Sequence, residues 1–191
     1  RNIDDYKELF FSMNQLGAID DEGPQVLGVQ ISCVKNYDSL EDLKLDKLHK
    51  KRLFFALLDS RIIIAALRGI SELYRIKYPQ DLKRITYHIP DELSDIFSLP
   101  DDFPINGNGE DLFNWAKKTE KEIYKIINSF KPNYKEALIG HNRILSSFVL
   151  NPKYFFYDGD PIPPHVLIML DDCQKLTPDQ RDSLYEIIDQ R

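Results

Sequence analysis

An α/β fold is predicted, in which a parallel sheet covered by helices is interrupted by a large helical insertion, and three observations predict it. Residues 166–170, Val-Leu-Ile-Met-Leu, place five bulky apolar side chains in a row, the pattern of a strand buried on both faces. Residues 26–34, Val-Leu-Gly-Val-Gln-Ile-Ser-Cys-Val, are β-branched and mostly apolar, which favours a second strand. The stretch between them reads as largely helical, and strands joined through helices lie parallel by a right-handed crossover. The expected division is a core helix and strand in residues 1–38, a helical insertion in 39–153, and the second core strand with its helix in 154–191.

Each element has a local cause. Asp4 or Asp5 can cap a first helix whose apolar positions are Tyr6, Leu9, Phe10, Met13 and Leu16, and Gly17 ends it. An acidic turn with Gly23 and Pro24 leads into the first strand. Ser39, with Asp42 three residues on, resembles a capping box that opens a helix. Residues 53–78 then read as one long helix, apolar on nearly every face at first, that Pro79 stops. Residues 85–89 fit either a short strand or extended chain, Pro90 can open a single helical turn, and 100–109 reads as a loop. Leu112, Phe113, Ala116, Ile123, Ile126, Ile127 and Phe130 trace an amphipathic helix, and residues 133–150 read as another. After the apolar strand, Thr177-Pro178-Asp179-Gln180 is a strong helix start: threonine caps, proline suits the first turn, and glutamine reaches back.

Composition excludes several classes. A formal net charge of -6 gives no general attraction to nucleic acid or anionic lipid. The basic cluster in residues 44–52 carries Leu45, Leu48 and Leu53 at helical spacing, so it reads as the solvated face of a helix. Asp59, Ser60, Arg61 and Arg68 interrupt the longest apolar tract, which is too charged to span a bilayer. The two cysteines, Cys33 and Cys173, indicate neither a disulfide framework nor a thiolate metal site, and a reducing, cytoplasmic setting is the expectation.

The apolar strand ends at adjacent acids, Asp171 and Asp172, and the carboxyl ends of strands in open α/β sheets face the ligand crevice. Magnesium takes one or two protein carboxylates beside substrate phosphates, and phosphoryl transfer to water needs a group that orients the nucleophile. On a strand, neighbouring side chains point opposite ways, so the two acids could take separate roles. The competing reading is a strand terminator that begins a turn.

Residues 165–191, with Val-Leu-Ile-Met-Leu-Asp-Asp-Cys-Gln-Lys-Leu followed by Thr-Pro-Asp-Gln-Arg and an amphipathic helix, resemble the Walker B strand and next helix of P-loop ATPases of the AAA and STAND kind. Those similar to the origin-recognition group are nearest in pattern. The resemblance implies a partial P-loop NTPase-like three-layer core, ATP and Mg2+ as ligands, magnesium held by Asp171 and hydrolytic water activated by Asp172. The second acid of that family is often glutamate. The Gly-x-x-x-x-Gly-Lys-Ser/Thr phosphate loop is missing from all 191 residues; Gly23 and Gly28 have the glycine spacing, but Val29-Gln30 stands where lysine and a hydroxyl are required. The resemblance therefore implies that the chain is a portion of an ATPase whose phosphate loop lies upstream.

Other motifs carry less. Asp158-Gly159-Asp160 mimics a metal-binding Asp-x-Asp, yet the prolines at 161, 163 and 164 favour a plain turn. The four histidines share no ligand spacing. Trp115 and the aromatics at 154–157 could stack bases, but packing is the better reading. Arg181 and Arg191 are candidate sensor or trans-acting arginines that more simply lie on a solvated helix face. The expected partners are a nucleotide and a protein or a second copy of the chain, with no membrane and no nucleic acid. The alternative function is a non-catalytic, mostly helical acidic interaction module in which the aspartates are structural.

Overall fold

In a computed structural model, which describes residues 3–34, 36–91, 99–129 and 151–188, the fold is mixed α/β with one parallel and two antiparallel sheets. Helix α1 (Ile3–Gln15) ends where Gly17 adopts a left-handed φ of 68°. A minimal hairpin, β1 (Ile19–Asp20) and β2 (Gly23–Pro24), leads into β3 (Val26–Ser32). Helix α2 (Lys47–Leu73) follows, then β4 (Ile85–His88), β5 (Asn106–Asn108) and α3 (Gly109–Ile127). The chain continues through β6 (Phe155–Tyr157), β7 (Asp160–Pro161), β8 (His165–Asp171) and α4 (Pro178–Ile188).

Strands β3 and β8 pair in parallel, with Val26 opposite His165 and Ser32 opposite Asp171. Partners in register share a face, which divides the pair into two rows. Leu27, Val29 and Ile31 are buried, and Val166, Ile168 and Leu170 pack beside them against the core. Gly28, Gln30 and Ser32, with Leu167, Met169 and Asp171, form the opposite, exposed row. The expectation that β8 is buried on both faces is thereby corrected: Leu167 is 54% and Met169 43% exposed. Five apolar residues in a row show that both faces of a strand are apolar, and among the described residues only one of those faces is covered.

Helix α2 forms the centre. From Leu53 to Ile70 its apolar residues are buried on nearly every side, including Leu57, Ile63 and Leu67. Its two interior hydroxyls are satisfied locally, Ser60 Oγ donating to the Ala56 carbonyl at 2.8 Å and Ser71 Oγ to that of Leu67 at 2.7 Å. Gly69 allows the close approach to β3, because a Cβ there would stand 3.3 Å from the Gly28 carbonyl oxygen. No α-helix opens at Ser39, and the long helix expected over residues 53–78 starts earlier, at Lys47, and ends at Leu73 before Pro79 is reached. Residues 38–40 form a single 3-10 turn that buries Leu40, and Asp46 is the true cap, its Oδ1 accepting from the His49 N–H at 2.9 Å.

The segment expected to be a largely helical insertion, 39–153, also supplies half of an antiparallel sheet of order β5-β4-β6-β7. Residues 85–88 are a strand, and the 100–109 loop contains β5. Tyr87 stacks on Phe155 at 5.2 Å, and both are buried in the core. Asp158 and Gly159, both at positive φ, make the two-residue hairpin turn between β6 and β7. Asp158 also pairs with Arg84, so the Asp-x-Asp segment is a turn. Asn108 and Asp111 close a full capping box at the start of α3, whose first residue, Gly109, lies three residues before Leu112. Trp115 packs against Phe103 at 4.8 Å and donates to Asp102, as a core residue does. The expected helix at 133–150, most of the turn after Pro90, and Arg191 lie outside the described residues.

This one-sided burial has a measurable consequence. Leu57→Ala is expected to lower unfolding free energy by about 2–5 kcal/mol, whereas Leu167→Ala on the uncovered row should stay within about 0.5 kcal/mol of the parent. Urea denaturation read by far-UV circular dichroism distinguishes the two.

Candidate functional site

The carboxyl ends of β3 and β8 carry the two predicted acids. Strand pairing runs to its last residue, where the Cys33 N–H donates to the Asp171 carbonyl at 2.9 Å. Asp171 lies in the exposed row, opposite Ser32. Its Oδ1 accepts the Asp172 N–H at 2.8 Å. Asp172 has left the strand: its φ of 58° is left-handed, a conformation that aspartate tolerates better than most residues. The argument that the two acids diverge by strand alternation is therefore corrected, since the separation comes from a backbone turn. Asp172 Oδ1 accepts from Gln174 Nε2 at 2.9 Å, and its carbonyl accepts from the Lys175 N–H.

A 3-10 turn, Cys173–Lys175, follows and hands the chain to α4. Here the predicted cap is present in both directions: Thr177 Oγ1 accepts from the Gln180 N–H at 3.4 Å, and Gln180 Oε1 accepts from the Thr177 N–H at 3.2 Å. Gln180 Nε2 also donates to the Tyr37 carbonyl at 2.6 Å. The start of α4 is thus bonded to the loop that leaves β3. Both strand exits are held together at the same end of the sheet. Gly23 and Gly28, the glycines with phosphate-loop spacing, lie in β2 and β3, so this pair forms no loop around a phosphate.

Two carboxylates fit a limited role toward magnesium. Asp171 presents an exposed carboxylate whose Oδ1 is occupied by one backbone donor. That suits an ion that keeps most of its water and leans on phosphate oxygens. Among the described residues no group of three or more His, Cys, Asp or Glu side chains converges to make a protein cage.

Sequence reasoning missed a second polar constellation beside this end of the sheet. A cleft of about 740 Å3 is floored by Gly28, Gln30, Ser32 and Met169 and walled by α2 and α3. Arg61 is its most enclosed cation. The Arg61 Nη2 donates to the Tyr124 hydroxyl at 2.6 Å, Nε reaches Glu120 Oε1 at 3.4 Å, and the guanidinium lies 4.4 Å from the centre of the Tyr37 ring. Lys117 Nζ approaches the other Glu120 oxygen at 3.3 Å. The available signal was Asp59-Ser60-Arg61 breaking an otherwise apolar helix. Its meaning depends on Glu120 and Tyr124, which α3 brings from far along the chain.

Tyr37 is 1% exposed and its hydroxyl has no hydrogen-bond partner among the described residues. Burial pushes its pKa up to about 12 against the opposing pull of Arg61. The Cys33 thiol is likewise pushed up to about 12, first by burial and then by Cys173.

A group whose pKa is raised on folding holds its proton more tightly in the native state. For Tyr37 the stabilisation is complete below the ordinary value of 10.0 and is lost as pH rises from there toward about 12. Tyr37→Phe is expected to stay within about 1 kcal/mol of the parent at neutral pH, since it removes an unpaired hydroxyl. It should also flatten the alkaline loss of stability, which denaturant titrations at a series of pH values would measure. Comparison with family models, with curated proteins and with solved structures finds no match to this chain.

Proposed function

We propose that this chain is a portion of an ATP-binding, ATP-hydrolysing protein of the P-loop kind, and that Asp171 and Asp172 stand at its magnesium-nucleotide site. The observation that carries the reading is the parallel register of β3 and β8. It sets Asp171 beside Ser32 at the carboxyl end of the sheet, where α/β folds receive their ligands. A magnesium ion bound there with nucleotide phosphates would neutralise charge on the transferred phosphoryl group. Asp171 would hold the hydrated ion through its exposed carboxylate. Asp172 would orient the attacking water and accept its proton through Oδ2, its Oδ1 being engaged by Gln174. The left-handed turn separates the two carboxylates, which leaves each free for its own partner.

A second reading is a non-catalytic protein-interaction module. The specific observation favouring it is apolar exposure: Leu167 and Met169 on β8, and Leu9, Phe10 and Phe11 on α1. In the ATPase reading the same uncovered face and the second edge of β8 receive the rest of the core. In the module reading they receive a protein partner.

The full-length polypeptide carrying this chain separates the two readings. Asp172→Asn is expected to retain magnesium-dependent ATP binding by calorimetry while turnover falls by about 10²–10⁴-fold. Asp171→Ala should weaken the magnesium dependence of binding. Unchanged turnover in Asp172→Asn removes the water-activating role, and absence of magnesium-ATP binding by the parent removes the ATPase reading altogether.

A further inference from the structure

The two cysteines lie 140 residues apart in the chain and meet in space. Cys33 follows β3 directly and Cys173 opens the turn after Asp172, so the parallel pairing brings the residues together at one end of the sheet. Their sulfurs are 4.0 Å apart and both are free thiols. Cys33 is 2% exposed, whereas Cys173 is half-buried and can be reached from solvent. Among the described residues the Cys173 thiol makes one other bond, a long one of 3.5 Å to the Leu170 carbonyl oxygen. A disulfide needs the sulfurs at about 2.05 Å. Cys173 sits on a short 3-10 turn outside the strand, so the closure falls to a residue that the strand pairing does not hold.

We propose that Cys33 and Cys173 form a reversible intramolecular disulfide, a thiol-modification site that clamps the ends of β3 and β8 when the chain meets a small-molecule disulfide oxidant of the glutathione class. In the first step the exposed Cys173 sulfur, as thiolate, attacks one sulfur of the oxidant. The oxidant's S–S bond breaks, a mixed disulfide forms on Cys173, and the departing thiolate takes up the proton that Cys173 gave to water. In the second step the Cys33 sulfur attacks Cys173 Sγ, the mixed disulfide breaks, and the Cys33 proton ends on the second departing thiolate. Two protein thiols are oxidised and one small disulfide is reduced to two thiols.

The bond would close a loop spanning most of the chain and would tie the Asp171–Asp172 turn to β3. This inference rests on sulfur geometry alone and stands or falls separately from the nucleotide reading. Its effect on a bound ligand would be an added consequence.

The intact chain can be equilibrated in glutathione buffers from fully reduced to fully oxidised, acid-quenched, denatured, alkylated and mapped by peptide mass spectrometry. Expected at the oxidised end are near-complete loss of both alkylatable thiols, a linked peptide joining Cys33 to Cys173 in monomeric protein, and a thermal midpoint raised by several degrees. In Cys173→Ser the Cys33 thiol should remain alkylatable in the same buffer and the thermal shift should vanish. Retention of both thiols in oxidising buffer overturns the proposal. So does arrest at a glutathione adduct on Cys173 with Cys33 free, or a linkage found only between chains.

Discussion

Burial of α2 on nearly all sides is the constraint on which the rest of the structure depends. A helix that is apolar around its circumference cannot be stable at a surface, so it must be enclosed by whatever else the chain can fold. The inner row of β3 and β8 covers one flank, α3 another, and the 3-10 turn at 38–40 with α4 closes its amino-terminal end. Arg61 and Arg68 mark the flank left open, whereas Asp59 is fully buried. Arg61 and Arg68 both line the cleft over the sheet, and Arg61 is drawn into a bonded group with Glu120 and Tyr124 rather than released to solvent. Removing one partner from that enclosed group would leave another uncompensated.

The parts of this arrangement that could be read in the sequence were those with local causes. Residues 26–32 and 165–171 announce strands because β-branched and bulky apolar side chains fit a packed pleated surface. Thr177 and Gln180 announce α4 because each satisfies the other's backbone donor within one turn. The same logic predicted a helix at Ser39 that does not form: Ser39 and Asp42 have cap spacing, but Leu40 and Leu43 are buried from a 3-10 turn and its exit, and the cap of α2 is Asp46. The antiparallel sheet escaped notice because β5, β6 and β7 have three residues or fewer, too short for alternation, and their pairing joins distant segments. Within the site, the position of Asp171 followed from the strand. The left-handed turn at Asp172 and the Arg61 group did not, since each is set by tertiary contacts.

The outer row of the parallel pair links these features. It runs Gly28, Gln30 and Ser32 beside Leu167, Met169 and Asp171, passing from apolar to polar toward the carboxyl end. Packing on the inner row holds that surface in place, because β3 leans on α2 and β8 pairs with β3 along its whole length. Polar groups at its end are therefore presented from a fixed frame, which is what an orienting role in chemistry or recognition requires. Gly28 and Ser32 of this row are small where they line the adjacent cleft, while Leu167 and Met169 of β8 leave an apolar surface.

Pairing β3 with β8 also governs how the molecule must be made. Helices α2 and α3 can associate as soon as both have been made, but the strand that completes the parallel pair follows them in the chain. Non-local contacts of this kind are slow to form because the intervening loop must be closed before they gain any stability. Until then the flank of α2 that β3 and β8 cover together is incompletely sheltered. The nascent chain carries an apolar helix ahead of its cover, a period in which a chaperone or a neighbouring chain could compete for the same surface.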